Sequence, residues 1–198
     1  MILTTHPHFP LGLRTPCTAF QGDHKVASGA LAQVVRTAKE LVDADHNPVL
    51  VFDAAASRLI EIDYRGPADA VVERLAYTVG EGTPVTETAP PRPGRPKLGV
   101  VAREVTLLPR HWEWLNAQPG GASVALRKLV EDARKANSGK DRVREAQESC
   151  YRFLSVMAGD RPGYEEALRA LYAGNREGFA AHTDAWPPDI RAHARQLA

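Results

Sequence analysis

The chain has 198 residues, of which 43% are hydrophobic and 25% are charged, and its formal net charge is +1. This length suits one domain or two small ones, and the composition is that of an ordinary globular protein rather than a disordered or fibrous one. No run of about 18 or more apolar residues occurs, which excludes a typical membrane-spanning helix and argues against a membrane partner.

The N-terminal residues 1–16 (MILTTHPHFPLGLRTP) are predicted to be a loose tail. They lack the basic start and the uninterrupted apolar stretch of a signal peptide. The two cysteines, Cys17 and Cys150, lie far apart and have no CxxC partner, so we expect two buried, unpaired thiols. Unpaired thiols fit a reducing compartment, and we therefore expect a cytoplasmic protein.

Residues 17–80 are predicted to form an α+β domain with the order ββαββα. Two short strands, CTAFQG and HKVASG, flank a Gly-Asp turn, and the helix GALAQVVRTAKELVDAD follows them. The segments PVLVFD and RLIEIDY are expected to pair as a hairpin. The last helix, PADAVVERLAYTV, begins at Pro67, because proline suits a first turn. Asp53, Asp63 and Asp69 are interpreted as turn formers and a helix cap rather than as catalytic carboxylates.

Residues 81–97 (EGTPVTETAPPRPGRPK) are rich in proline and poor in apolar residues, which predicts an extended linker and a domain boundary. The end of this linker, Gly94-Arg95-Pro96, resembles half of an AT-hook, a motif that places an arginine in the narrow minor groove of A·T-rich DNA. By that resemblance, Arg92, Arg95 and Lys97 form a basic arm that contacts DNA. The alternative is a linker whose basic residues are incidental.

Residues 98–136 are predicted to form one strand, a short helix that begins at Pro109, a turn and a second helix. A unit of this size cannot close a core alone, and a lone strand leaves its backbone N–H and C=O groups unpaired. We therefore expect the strand to pair with the same strand of a second copy, which makes a homodimer or a higher homo-oligomer. The apolar residues assigned to the dimer interface are Val101, Val105, Leu107, Trp112, Leu126 and Leu129.

This segment resembles the ribbon-helix-helix DNA-binding fold of the Arc and MetJ type. The resemblance rests on the alternating strand Val101–Leu107, the Leu108-Pro109 entry to the first helix and the turn Gly121-Ala122-Ser123-Val124. It implies a two-stranded ribbon in the major groove of double-stranded DNA, with a backbone phosphate held by the second helix at Ser123 and Val124. We also expect Ser123 to be the N-cap of that helix. The residues assigned to DNA contact in this segment are Arg103, Glu104, Thr106, Ser123, Val124, Arg127 and Lys128.

The distribution of charge agrees with a nucleic-acid partner. Residues 91–145 hold 12 Lys and Arg against 6 Asp and Glu, whereas residues 1–90 hold 7 against 11 and residues 146–198 hold 6 against 7. A basic block between acidic flanks is typical of a segment that meets a polyanion. A chance clustering of charge on a solvated face is the alternative.

Residues 139–198 are predicted to be helical throughout, in four segments separated by glycines and by Pro187-Pro188. Five aromatic residues of this region are interpreted as core rather than as a base-stacking surface: Tyr151, Phe153, Tyr164, Tyr172 and Phe179. Residues 17–198 also resemble members of a bacterial protein family of unknown function, through the ββαββα front, the centre GRPKLGVVAREVTLLPRHWEWL and the helical tail from AGD to AWP. That resemblance implies no activity.

The sequence predicts no catalytic residue, no metal ligand and no cofactor. No HxxxH or HxH pair lies on a predicted helix or strand, and no GxSxG, P-loop or GxGxxG motif occurs. We therefore expect a non-enzymatic α+β protein with a central ribbon-helix-helix unit and an all-helical C-terminal region. Its function would be that of a transcriptional regulator or a nucleoid-associated protein located at the nucleoid. A ribbon fold that dimerises without binding DNA is the main alternative, and an enzyme in the front domain is the third.

Overall fold

The computed structural model describes residues 11–79, 101 and 103–198. The strands in these ranges are β1 (Pro16–Gln21), β2 (His24–Ala30), β3 (Val49–Asp53) and β4 (Leu59–Ile60). The helices are α1 (Leu31–Asp45), α2 (Ala68–Thr78), α3 (Pro109–Asn116), α4 (Gly121–Met157), α5 (Tyr164–Tyr172), α6 (Arg176–His182) and α7 (Pro188–Leu197). The α+β class and the ββαββα order of the front segment are confirmed.

The four strands form one antiparallel sheet in the order β2-β1-β3-β4. A tight turn joins β1 to β2, and Gly22 has a φ of 55° there, a conformation that glycine adopts at little cost. Along β3, Val51 packs on one face of the sheet and Phe52 on the other. Because β1 and β3 are covered on both faces, their sequences are almost continuously apolar.

The first core lies between one face of the sheet and the helices α1 and α2. The apolar residues of α1 recur at helical spacing, which places them on the side of the helix that faces the sheet. The buried residues of the first core are Cys17, Ala19, Leu31, Val34, Val35, Ala38, Val49, Val51, Ile60, Val71, Val72 and Leu75.

The second core joins the opposite face of the sheet to the C-terminal helices. The ring of Phe153 lies 5.3 Å from that of Phe20 and 5.4 Å from that of Phe52, measured between centroids, at tilted angles that aromatic pairs favour. Residues 139–198, predicted as a region of their own, therefore contribute to a core that the sheet completes. The buried residues of the second core are Phe20, Phe52, Cys150, Phe153, Leu154, Met157, Ala158, Ala167, Ala170, Leu171, Phe179, Trp186, Ile190 and Ala194.

Two of the five aromatic residues predicted to be in the helical core lie on its surface. Tyr151 and Tyr172 are 43% and 54% exposed, whereas Phe153 and Phe179 are buried and Tyr164 packs against the second core. On α4 the buried arc is filled by residues at i, i+3, i+4 and i+7 from Cys150, and Tyr151 falls outside that arc. The prediction for the two exposed tyrosines was wrong because aromatic character alone does not fix the side of a helix.

The chain divides into two compact units, residues 1–84 with 143–198 and residues 85–142. Within the first unit, polar contacts supplement the second core. The hydroxyls of Ser57 and Ser149 form a buried hydrogen bond of 2.8 Å, and Arg152 donates to the carbonyl of Ala56 at 2.9 Å. The predicted linker, residues 81–97, lies outside the described residues.

The aspartates near the strand ends act as turn formers. The Asp53 carboxylate accepts backbone N–H groups from Ala55, Ala56 and Arg58, which closes the turn between β3 and β4. Asp63 accepts from the backbone N–H and the side chain of Arg65, so the chain turns there and β4 is shorter than the predicted strand RLIEIDY. Asp69 is not a helix cap, because it lies in the first turn of α2, two residues after the N-cap Pro67.

The helix α4 runs without a break through the boundary predicted after residue 136. Asn137, Ser138 and Gly139 are weak helix formers, but the side chains of Asn137 and Ser138 find hydrogen-bond partners within the helix. The Asn137 side chain donates to the carbonyl of Ala133 at 2.8 Å, and the Ser138 hydroxyl donates to that of Lys135 at 3.0 Å. A single glycine in a helix costs only about 1 kcal/mol. The predicted second helix of the central unit and the first C-terminal helix are therefore one helix.

Candidate nucleic-acid interface

The candidate interface is built on α3, the turn after it and the first part of α4. Pro109 occupies the first turn of α3, where its missing N–H costs no hydrogen bond, as predicted. Gly120 and Gly121 have φ values of 86° and 73°, so the chain reverses through two left-handed residues. A Cβ atom on Gly120 would lie 3.1 Å from the Cβ of Val124. Glycine is therefore required at Gly120 both for its dihedral angle and for space.

An apolar groove of about 260 Å³ runs between α3, the residues before it and α4. On α3, His111, Trp114 and Leu115 share a face because they are three and four residues apart. Leu115 is the buried residue of that helix, and Trp112, which was assigned to the dimer interface, is half-buried. The groove is lined by Leu107, His111, Trp114, Leu115, Leu126 and Leu129.

Several large apolar side chains of this unit are exposed. Val101 is 72% exposed, Val105 53%, Trp114 54% and Leu129 46%. Monomeric soluble proteins seldom expose adjoining apolar residues of this size, and such patches usually mark an interaction surface. Of the residues predicted at the dimer interface, Val101, Val105 and Leu129 are exposed and Leu107, Trp112 and Leu126 are half-buried.

Two local predictions differ from the structure. Residues 103–108 form no strand within the single chain, and the predicted ribbon, which pairs strands of two chains, stays a prediction. Ser123 is not the N-cap of the second helix, because α4 begins at Gly121 after the two-glycine reversal. Ser123 lies in the first turn instead, where its carbonyl accepts from Arg127 Nε at 3.1 Å.

The residues predicted to contact DNA lie in three places. Arg103, Glu104 and Thr106 are exposed in the segment before α3. Four more are exposed along the first two turns of α4, and the three residues of the arm lie outside the described ranges. The four on α4 are Ser123, Val124, Arg127 and Lys128, and the three of the arm are Arg92, Arg95 and Lys97.

The described residues contain no cluster of side chains that would bind a metal ion. Within residues 11–79 and 103–198, no three His, Cys, Asp or Glu side chains come together in a way that would hold a metal ion. Both cysteines are buried and unpaired, as predicted, and burial raises the pKa of each thiol to about 12. No helix in the described ranges is long and apolar enough to cross a membrane.

Comparison with known proteins gives one match. No curated protein and no solved structure matches the chain. One family model matches residues 16–198, which is nearly the whole sequence and includes both compact units. The chain therefore belongs to a family described as an uncharacterized protein conserved in bacteria (DUF2239).

Proposed function

We propose that the protein is a homodimer that binds double-stranded DNA through its central unit, residues 98–136. The observation that carries the proposal is the combination, on α3 and α4, of an apolar groove with a row of exposed basic residues. A soluble protein covers such a groove when it associates, and its cations remain available to a polyanion. The protein then acts as a transcriptional regulator or a nucleoid-associated protein in the cytoplasm.

The occupant of the groove is a second copy of the chain. Val101 and Val105 precede α3 and expose 72% and 53% of their surface, and pairing of this segment between two chains would bury their side chains. The ribbon arrangement brings the same segment of both chains together around a two-fold axis. The apolar patch of one chain is then buried against the same patch of the other. Leu126 and Leu129 then pack across the dimer.

The DNA contact follows from charge and position. Residues 91–145 have 12 cationic side chains against 6 anionic ones, while the flanking parts of the chain are net acidic. Arg103 and Thr106 lie on the segment assigned to the ribbon, and Arg127 and Lys128 lie on α4. Glu104 restricts base contact to groups that donate hydrogen bonds, such as the amino group of cytosine.

A gel-shift titration with a duplex DNA at two salt concentrations tests this function. Phosphate contacts release counterions, so affinity should fall steeply when the salt concentration rises. Light scattering on the free protein should give the mass of a dimer. If the protein does not bind DNA at low salt, the proposal of DNA binding is wrong. If the free protein has the mass of a monomer, the proposal of an intermolecular ribbon is wrong.

A dimerisation module without DNA binding is the second candidate. The observation that favours it is that Glu131 already forms ion pairs with Arg134 and Lys135, at 3.0 and 4.0 Å, so part of the basic charge is neutralised within α4. This candidate predicts a dimer whose mass and melting temperature do not change when duplex DNA is added. The same titration and light scattering separate the two functions.

A further inference from the structure

We infer that the exposed side of α4 over residues 121–142 is a second surface for DNA phosphates, beyond the ribbon and the arm. We call this surface the basic face, and it consists of Arg127, Lys128, Arg134, Lys135 and Arg142. The inference rests on the proposed function and extends it by about two helical turns past the predicted end of the DNA-binding unit. All five residues lie within the unit of residues 85–142 and are exposed.

The spacing of these residues is regular. The pair Arg127-Lys128 recurs as Arg134-Lys135 seven residues later, and Arg142 follows Lys135 by another seven. Seven residues are almost two turns of an α-helix, so each recurrence lies about 10.5 Å further along nearly the same side. Because α4 continues unbroken through residue 139, the row extends over all three positions.

The basic face lies apart from the apolar side of the helix. Leu126 and Leu129 line the groove, and Ala133 and Ala136 follow them at the same helical spacing. Dimerisation through the groove therefore leaves the cations in solvent. The helix therefore has an apolar side that packs against a second copy of the chain and a basic side that contacts a polyanion.

Anionic groups near the basic face neutralise only part of its charge. Residues 121–142 have six Lys and Arg and three Asp and Glu. Glu131 and Asp132 lie between the two basic pairs, and Glu131 forms ion pairs with Arg134 and Lys135. Exposed ion pairs of this kind contribute little, so a phosphate can replace them. Within the part of the chain that the structure describes, the side chains of Lys128 and Arg142 form no hydrogen bond or ion pair.

The composition of the helix favours the backbone of a duplex over a single strand. Proteins that bind single strands place aromatic side chains among their cations, so that bases stack on them. Residues 121–142 contain no aromatic residue. A row of cations without stacking groups fits the phosphates of double-stranded DNA. Contacts to phosphates do not distinguish one base sequence from another.

The test replaces the three cations that recur at seven-residue spacing. A variant with Lys128→Gln, Lys135→Gln and Arg142→Gln is compared with a control that has Arg14→Gln, Lys25→Gln and Arg176→Gln. The control removes the same charge from exposed positions of the other unit. In titrations of a short duplex DNA, log K falls as log salt rises, and each lost phosphate contact should make this negative slope shallower by about 0.9. We expect a slope shallower by about 2 to 3 in the first variant and the parental slope in the control.

Each outcome decides whether the basic face contacts DNA. If the parent protein binds no duplex DNA, the proposed function fails and this inference fails with it. If the parent binds and deletion of residues 91–97 lowers the slope while the basic-face variant does not, DNA binding stands and the basic face has no part in it. A basic-face variant that becomes monomeric would place these residues in the dimer interface. The same titrations are repeated with duplex RNA. If the basic-face variant loses affinity for duplex RNA but binds duplex DNA like the parent, the basic face contacts RNA and its assignment to DNA is wrong.

Discussion

His193 is a titratable, half-buried side chain that packs against the second core. Its ring lies 4.6 Å from that of Phe153 and 5.4 Å from that of Phe20, and its Nδ1 atom is buried without a hydrogen-bond partner among the described residues. Burial, with a smaller contribution from Lys25 on β2, lowers the pKa of His193 to about 4. The imidazole is therefore neutral in the folded protein at neutral pH.

Protonation of His193 should destabilise the fold between about pH 6.5 and pH 4. In this range the unfolded chain binds the proton more readily than the folded chain does, so stability falls as the pH falls. Above pH 6.5 both states are neutral at this site and the effect vanishes. We expect His193→Leu to reduce the loss of melting temperature between pH 7 and pH 4.5. The control His182→Gln, at an exposed position, should leave the loss unchanged.

Ser123 tests whether the start of α4 faces DNA. An aspartate in the first turn of a helix interacts favourably with the helix dipole, so Ser123→Asp should melt close to the parent. The new negative charge would oppose a phosphate at that helix end, and binding to all duplex sequences should weaken strongly. Filter binding and thermal melting measure the two effects separately. Ser155→Asp, which adds the same charge to an exposed site of the other unit, should bind DNA like the parent. Normal DNA binding by Ser123→Asp would show that this helix end faces away from DNA.

At the scale of elements, the segment before α3 determines whether a ribbon forms. Among the described residues, the backbone N–H of Val105 has no hydrogen-bond partner in the single chain, so proline there removes nothing from the monomer. In a ribbon it would remove a hydrogen-bond donor between strands. Val105→Pro should therefore yield a monomer or an aggregate by light scattering, while Val105→Ala remains dimeric. A folded, dimeric Val105→Pro protein would contradict the ribbon.

Gly139 lies near the middle of the unbroken helix α4, so its replacement by alanine should change the stability of that helix. A Cβ atom added to Gly139 would meet nothing within 4 Å, and the residue has no left-handed φ. Gly139→Ala should therefore stabilise the helix by about 0.5–1 kcal/mol, through lower entropy of the unfolded chain and higher helix propensity. Thermal melting followed by circular dichroism measures the change. Gly120→Ala should act in the opposite direction, because that position has a φ of 86° and lies close to Val124.

At the scale of the whole molecule, Phe153 connects distant parts of the first unit. It contacts Phe20 and Phe52 of the sheet and is completely buried. Truncation to alanine should cost about 3–5 kcal/mol, the usual range for a buried phenylalanine, because the rings around it cannot collapse into the cavity. Urea unfolding of Phe153→Ala measures the loss. Tyr151→Ala, two positions earlier on the same helix and 43% exposed, should lose much less.

Local features of the fold could be predicted from the sequence, whereas its long-range contacts could not. The helical spacing in α1 and the apolar strand PVLVFD are local patterns, and both elements formed as predicted. That Phe52 packs against Phe153, a hundred residues later, has no local signature, so the C-terminal helices were assigned to a region of their own. The length of α4 was missed because side-chain hydrogen bonds of Asn137 and Ser138 compensate for their weak helix propensity.

The candidate interface could be predicted only in part, for a similar reason. Pro109 and the glycines at 120 and 121 are local signals, and they correctly indicated a helix start and a chain reversal. The groove depends on how α3 packs against α4, and Trp114 and His111 were not predicted to line it. Their signal is the helical spacing from His111, because Trp114 and Leu115 lie three and four residues after it.

The two cysteines give each core of the first unit its own reporter of local opening. Cys17 belongs to the first core and Cys150 to the second, and both are at most 1% exposed. A thiol reagent can modify either residue only while the surrounding core is transiently open, since neither sulfur is accessible as a thiolate in the closed state. Labelling rates followed by mass spectrometry of the two peptides would therefore show whether the sheet separates from α1 and α2 as readily as from the C-terminal helices.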